Sequence, residues 1–234
     1  RIYHFYNLYA GNYMIGVVPP TPSTGNPFIS SKINEFNPNL NIDDNDNGIV
    51  EVNGEIRTNK ITLSNDEPLG ELPLDPTVKD ANSNYTLDIG LYQPINLIGN
   101  IFLDTNGPVE VDGISIGIAD GNPLYINLVN AQGISLNADV VQTNGSYIVK
   151  DVPPNITAKL NVSTTLGVAG NVAPVANVPW GWINVSEDCC DLSGNDGNTN
   201  GELDLTIADS DVLNLNFGIR QLMSLGNLVW NDFN

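Results

Sequence analysis

The sequence predicts tandem all-β sandwich modules, and three observations carry that prediction. One phrase occurs twice. Residues 97–107 read Leu-Ile-Gly-Asn-Ile-Phe-Leu-Asp-Thr-Asn-Gly, and residues 225–234 read Leu-Gly-Asn-Leu-Val-Trp-Asn-Asp-Phe-Asn. The leucines that open the two copies stand 128 residues apart, a length that suits one sandwich module with its loops. Helical periodicity is nearly absent. Gly, Pro, Asn and Asp interrupt the chain roughly every eight to twelve residues, with short runs of Val, Ile, Leu and Tyr between them.

Each element follows from that punctuation. Residues 2–5 and 12–18 read as two strands joined by the turn Leu8-Tyr9-Ala10-Gly11. Residues 51–57 and 60–63 read as a hairpin around Thr58-Asn59. Residues 85–92 place Tyr, Leu, Ile and Leu on one face and read as a closing strand. The link Gln93-Pro94 separates a first module, residues 1–93, from a second, residues 95–221. Strands are expected in the second at 97–103, 114–118, 124–129 and 146–149. After the Pro153-Pro154 turn come 158–163, 203–207 and the closing run 213–219, which echoes 85–91. Residues 222–234 then begin a third module with its opening strand. In this register the first copy starts inside its module, at a segment matching 145–159, without its opening strands. Such a copy exposes a sheet edge, covered either by flanking sequence of a longer protein or by a strand from another chain.

Composition bounds the function. Hydrophobic residues make up 41% of the 234, enough for a packed core. Acidic residues number 27 against 8 basic ones, a net charge of −19. That balance argues against nucleic-acid binding, which needs Lys and Arg against phosphate. The acids gather with Asn and Gly in loops, which favours bound divalent cations over a diffuse acidic coat. No apolar run approaches the roughly 18–20 residues that span a bilayer, so no membrane insertion is expected. No signal peptide opens the chain at Arg1, as expected of an internal fragment. The two cysteines, Cys189 and Cys190, are adjacent, and read either as two loop thiols or as a vicinal disulfide. The lone His4 lies in an aromatic strand pattern and reads as a packed surface residue.

Three motifs carry a resemblance to the B-type repeats of serine-aspartate-repeat adhesins and the related collagen-adhesin B modules. The family's opening Leu-Gly-Asn-x-Val-Trp-x-Asp phrase is matched by residues 225–232. Its Tyr-x-Phe-x-x-Leu-x-x-Gly-x-Tyr turn is matched by Tyr3, Phe5, Leu8, Gly11 and Tyr13. Its Asp-x-Gly-x-Tyr ending is matched by Asp88, Gly90 and Tyr92. The Asp-rich residues 41–48 and the run Asn82-Ser83-Asn84-Tyr85 look most like versions in giant surface proteins of gliding bacteria that use the type IX secretion route. The middle module departs from the pattern, with Phe102 for the opening Trp and Asn216 for the closing Asp. The resemblance implies an Ig-like or transthyretin-like sandwich, exposure at the bacterial cell surface outside the cell, stalk or adhesive roles, and often bound calcium.

Three loops have the oxygen density that Ca2+ requires, six to eight ligands from carboxylates, amide side chains and carbonyls. The first offers Asp43, Asp44, Asp46 and Asn47 before Gly48, with Glu51 to close the coordination. The second runs from Asp191 through Asn195, Asp196, Asn198 and Asn200 to Glu202, spaced like a degenerate twelve-residue calcium loop. Asp196 stands where that loop has its glycine, and Glu187 and Asp188 add nearby charge. The third is the loop after each opening phrase, Asp104 with Asn106 in the middle module and Asp232 with Asn234 in the last, where Glu110 and Asp112 can assist Asp104. The competing reading of each loop is a set of solvated Asx turns, since Asp and Asn dominate turns in any case.

Other chemistry has little support. One histidine and no Ser-His or Cys-His arrangement leave no nucleophilic machinery, and the acids sit away from the apolar residues that would raise a carboxyl pKa. Trp180 and Trp182, after Pro179, form either a sugar-stacking platform or a pair in which one packs under the acidic loop. No Lys, Asn and Glu trio in strand positions suggests an isopeptide crosslink, Lys150 being at a turn. The expected function is a non-enzymatic extracellular segment of an adhesin or stalk, stiffened by calcium. Its partners are neighbouring modules of the same chain and a host or surface glycan or protein. A strand-donating filament subunit and a carbohydrate-binding module are the alternatives.

Overall fold

The computed structural model describes residues 3–31, 46–48, 50–64, 84, 87–107, 110–189 and 198–227. The fold is all-β, and no helix occurs among the described residues. The chain divides into two compact units, residues 1–94 and 95–234.

Unit 1 has short strands: β1 (Gly11–Tyr13), β2 (Gly16–Val17), β3 (Ile29–Ser30), β4 (Val50–Val52), β5 (Glu55–Arg57), β6 (Ile61–Leu63) and β7 (Leu91–Tyr92). Strand β1 pairs with β6, β3 with β7, and β5 lies between β2 and β4, all antiparallel. The hairpin expected around Thr58-Asn59 is instead β4–β5. Its turn is Asn53-Gly54, with φ of 54° and 80°, the two left-handed positions that a tight hairpin requires. The strand expected at 2–5 is not formed by residues 3–5, and the closing strand is confined to Leu91–Tyr92 among the described residues.

Unit 2 is a two-layer sandwich. Its strands are β8 (Ile95–Leu103), β9 (Ile114–Ser115), β10 (Ile118–Ala119), β11 (Asn122–Pro123), β12 (Tyr125–Val129), β13 (Ser135–Val140), β14 (Ser146–Val152), β15 (Ile156–Ser163), β16 (Trp182–Asp188), β17 (Glu202–Ile207) and β18 (Asn216–Gln221). One sheet has the order β13-β12-β15-β17, and the other β14-β8-β18-β16 with β9 beside β8. All pairs are antiparallel except β8 with β18, which run parallel. Period-two alternation aims Ile95, Leu97 and Ile101 of β8, Tyr147 and Val149 of β14, and Leu203, Leu205 and Ile207 of β17 inward. Ile126, Leu128, Leu160, Val162, Phe217 and Ile219 belong to the same core. Each fully buried aliphatic side chain contributes roughly 1.5–3 kcal/mol.

The outer face of the first sheet is roofed by residues 164–181, which cross between β15 and β16 without regular structure. Backbone bonds tie this stretch to residues 133–135, with Ser135 N donating to Asn171 O and Ala173 N to Gly133 O (both 2.9 Å), and side-chain amides add further ties. Asn127 Nδ2 donates to Asn161 Oδ1 (3.0 Å) and Thr165 O (3.2 Å), and Gly167 N donates to Asn127 Oδ1 (2.6 Å). Asn161 Nδ2 donates to Pro174 O (2.8 Å), and Asn177 Oδ1 accepts from Ser163 Oγ (2.9 Å) and Thr164 N (2.8 Å). Strands β3, β11, β13 and β16 are additions to the elements read from sequence. Residues 222–227, the described start of the expected third module, form no strand, and 228–234 lie outside the described residues.

Both units tie a tyrosine to the closing run. Tyr147 Oη donates to Leu215 O, and Tyr3 Oη donates to Leu87 O at 2.7 Å. Leu87 and Leu215 hold the same place in the echoed sequences. Burial lifts the Tyr147 phenol well above its ordinary value. Burial, with the Asp88 carboxylate second, lifts Tyr3 to about 12. Tyr147→Phe should cost about 1–2 kcal/mol, read as a lower urea midpoint, because Leu215 O loses its buried donor. The neutral phenols favour the folded state. Their contribution should be whole below pH 10.0, the ordinary tyrosine value, and lost for Tyr3 as pH rises through about 12. Alkaline denaturation followed by circular dichroism checks the direction.

Candidate functional site

The first acidic loop places Asp46 and Asn47 in the interior. Asp46 Oδ1 accepts from Gly48 N (2.8 Å) and Gly90 N (3.0 Å). Its Oδ2 accepts from Ser31 Oγ, with Ser30 Oγ 3.1 Å away. Ser30 has one hydroxyl proton and also lies against Gly48 O, so Gly48 N, Gly90 N and Ser31 Oγ are the donors that hold the carboxylate. Asn47 N donates to Asp88 O (2.8 Å), and Asp88 N donates to Asn47 Oδ1 (2.9 Å). The loop therefore fastens β3 to the segment that leads into β7. A Cβ on Gly48 would stand 2.8 Å from Ile89 and 2.9 Å from Ile56, so the carboxylate is cradled where no larger residue fits. Asp43 and Asp44 lie outside the described residues, and Glu51 sits on β4 opposite Ile56.

The middle-module loop builds a second carboxylate hub. Asp104, fully buried at the end of β8, accepts at Oδ1 from Asn106 N and Gly107 N (both 3.2 Å), and at Oδ2 from Ser186 Oγ of β16. Asp104 N donates to Ile219 O of β18 at 3.0 Å. Asn106 Nδ2 donates to Asp112 Oδ2 at 3.1 Å. Gly218 lies against the hub, where a Cβ would come within 1.9 Å of Ser186 Oγ and 2.8 Å of Asp104 Oδ2. One Asx turn thus locks three strands of one sheet at a single tip.

The loop from Asp191 to Glu202 is described from Asn198 onward, with Asp191, Asn195 and Asp196 outside the described residues, as are Asp232 and Asn234 of the last opening phrase. Asn200 Oδ1 accepts from Glu202 N at 2.9 Å. The Glu202 carboxylate is ion-paired with Lys159 Nζ at 2.7 Å, with Asp204 3.9 Å from the same ammonium. Glu187, noted from sequence only as added charge, is buried and accepts from Gly201 N. Among the described residues, no group of three or more His, Cys, Asp or Glu side chains gathers at one point. Of the sequence-predicted ligands among the described residues, Asp46, Asp104 and Asn200 each lie in a separate hydrogen-bonded turn.

The tryptophans part company. Trp180, at the apex of a turn closed by Trp182 N to Pro179 O (3.0 Å), is 96% exposed. Trp182 begins β16 and packs against the core. A cleft of about 400 Å³ opens along the crossover beside Leu166, Val168, Val172 and Val175, and Trp180 does not line it. Cys189 is disulfide-bonded, and the chain's other cysteine is Cys190. His4 stacks on Tyr6 with ring centres 5.5 Å apart.

No protein-family model matches the chain, and no curated protein matches it significantly.

Asp104→Ala should lower stability by about 3 kcal/mol or more, since two amides and a buried hydroxyl lose a charged acceptor. Asp104→Asn should cost less, because one oxygen remains for the turn amides and the new NH2 can donate to Ser186. Chemical denaturation of the two variants measures the difference.

Proposed function

We propose that this chain is a non-enzymatic, extracellular repeat segment of a bacterial surface adhesin or stalk, stiffened by calcium at its acidic loops. The observation that carries the reading is the Asp104 hub, in which the repeated opening phrase ends in a carboxylate that locks a sandwich tip. A module closed in this way from its own turn residues suits end-to-end repetition, and a net charge of −19 suits a surface that meets cations outside the cell. Asp46 is held by Gly48 N, Gly90 N and Ser31 Oγ. The ion ligands in this reading are Asp43, Asp44, Asp46, Asn47 and Glu51 in the first loop, Asp191, Asn195, Asp196, Asn198, Asn200 and Glu202 in the second, and Asp104, Asn106, Asp232 and Asn234 after the opening phrases.

Calcium that binds only the folded chain raises stability by mass action. With a dissociation constant on the order of 10⁻⁴ M, millimolar calcium adds about 1.4 kcal/mol. That corresponds to a melting temperature about 3–5 °C higher than in chelator for a chain of this size. Calorimetry with and without calcium is the test, and superimposable curves reject the calcium part of the reading. A second reading, recognition of a neutral glycan by a stacking aromatic, is favoured by the exposure of Trp180. A glycan array with Trp180→Ala as control separates it from the first.

A further inference from the structure

Five asparagines are followed by glycine: Asn47, Asn53, Asn106, Asn144 and Asn200. Such a pair is open to a reaction that needs only water. The glycine nitrogen gives its proton to solvent base and attacks Cγ of the asparagine before it, with no Cβ to hinder the approach. The new N–Cγ bond forms, the bond from Cγ to the side-chain nitrogen breaks, and that nitrogen leaves as ammonia. Water then opens the succinimide ring at either carbonyl. The product is aspartate, or isoaspartate in which the main chain runs through the side-chain carbon. Two things are required of the fold: a glycine amide that is not otherwise engaged, and a side chain able to meet it.

Four of the five pairs fail both requirements. Gly48 N is spent on Asp46 Oδ1 (2.8 Å), Gly107 N on Asp104 Oδ1 (3.2 Å) and Gly201 N on Glu187 Oε1, all buried carboxylates. Gly145 N donates to Gln142 O at 2.8 Å. The side chains are held as well. Asn47 Oδ1 accepts from Asp88 N, Asn144 Oδ1 from Ser146 N and Oγ, and Asn200 Oδ1 from Glu202 N, while Asn106 Nδ2 donates to Asp112.

Asn53 differs in each respect. It forms the β4–β5 turn with Gly54, and both residues are exposed. Among the described residues, nothing accepts from Gly54 N and nothing bonds the Asn53 side chain. A Cβ on Gly54 would meet no atom within 4 Å, so the pair has open space around it. The strands on either side are three residues each, so few bonds must open for the nitrogen to swing onto Cγ.

We propose that Asn53 is the site at which the folded chain converts to aspartate and isoaspartate, and that the bonds on their glycine amides hold the other four pairs unreactive. The conversion puts a new carboxylate at the tip of a hairpin that already carries Glu51 and Glu55. Isoaspartate also adds a backbone carbon to a turn whose tightness depends on two left-handed residues. The reaction needs neither calcium nor a partner, so it stands or falls apart from the adhesin reading.

The test is to age the full chain in chelator at mildly alkaline pH, folded and in urea. Peptide mapping by mass spectrometry reads amide-to-acid conversion at each of the five sites, and isoaspartyl methyltransferase labels the isoaspartate. In the folded chain Asn53 should convert about tenfold or more faster than Asn47, Asn106 and Asn200, whose glycine amides rest on carboxylates, and faster than Asn144. In urea the five rates should draw together, because only the fold separates them. Asn53→Gln, which would have to close a six-membered ring, should lose the label in the folded chain. The comparison within the wild-type chain stands whether or not that variant folds. Conversion at any of the other four that matches Asn53 in the folded chain, or the same spread of rates in urea, overturns the proposal.

Discussion

Strand β8 is hydrogen-bonded along both edges, and unit 2 depends on that position. Its two partners lie far away in sequence, β14 in the middle of the unit and β18 at its close. The parallel pair joins the first strand of the unit to the last, so the sheet is complete only when the whole segment has folded back. Bringing such distant ends together costs loop entropy that grows slowly with length. The return is a continuous inner face from Ile95 to Ile219, with the larger share of the buried apolar residues described for the chain. Unit 1 has by contrast only Ile56 and Ile61 as buried apolar residues among those described.

Acidity is divided by location. Asp46, Asp104 and Glu187 are inside, each accepting from backbone amides. A buried carboxylate is costly unless its oxygens are met by donors, and Asx turns supply those donors from the same few residues that carry the acid. The remaining acids with described side chains stand outward, where Lys159 is shared by Glu202 and Asp204. Glycine is the recurring companion of the hubs. At Gly48 and Gly218 the absence of a side chain lets a carboxylate approach the strand beside it.

Alternation made most of unit 2 legible from sequence. Strands β8, β12, β14, β15, β17 and β18 all lie within or near runs where Val, Ile and Leu recur at every second residue. Strand β13 was hidden because Ser, Asn and Asp occupy its outward positions, residues that favour turns by composition. Strand β16 was hidden by Glu187 and Asp188 and by the bulge between Asn184 and Ser186, which breaks the period of two. The Asn53-Gly54 hairpin was readable, since that dipeptide is the strongest short-range turn signal, but the strands on either side are only three residues long and carry Glu51, Glu55 and Arg57. The acidic loops were legible as turns. Sequence could not say that Asp46 and Asp104 face inward, because burial of a turn residue depends on what crosses over it from residues such as Ser30, Gly90 and Ser186.

The crossover at residues 164–181 has a consequence for resistance to proteolysis. Irregular surface segments are where proteases usually cut. This one lies within residues 160–186, a stretch that holds no lysine, arginine, aspartate or glutamate, so enzymes that recognise a charged side chain find no foothold along it. Its backbone is held at Thr165, Gly167 and Pro174 by asparagines rooted in the sheet beneath, which resists the local unfolding that cleavage requires. The longest irregular stretch described in unit 2 is thus armoured by its composition and its anchoring together.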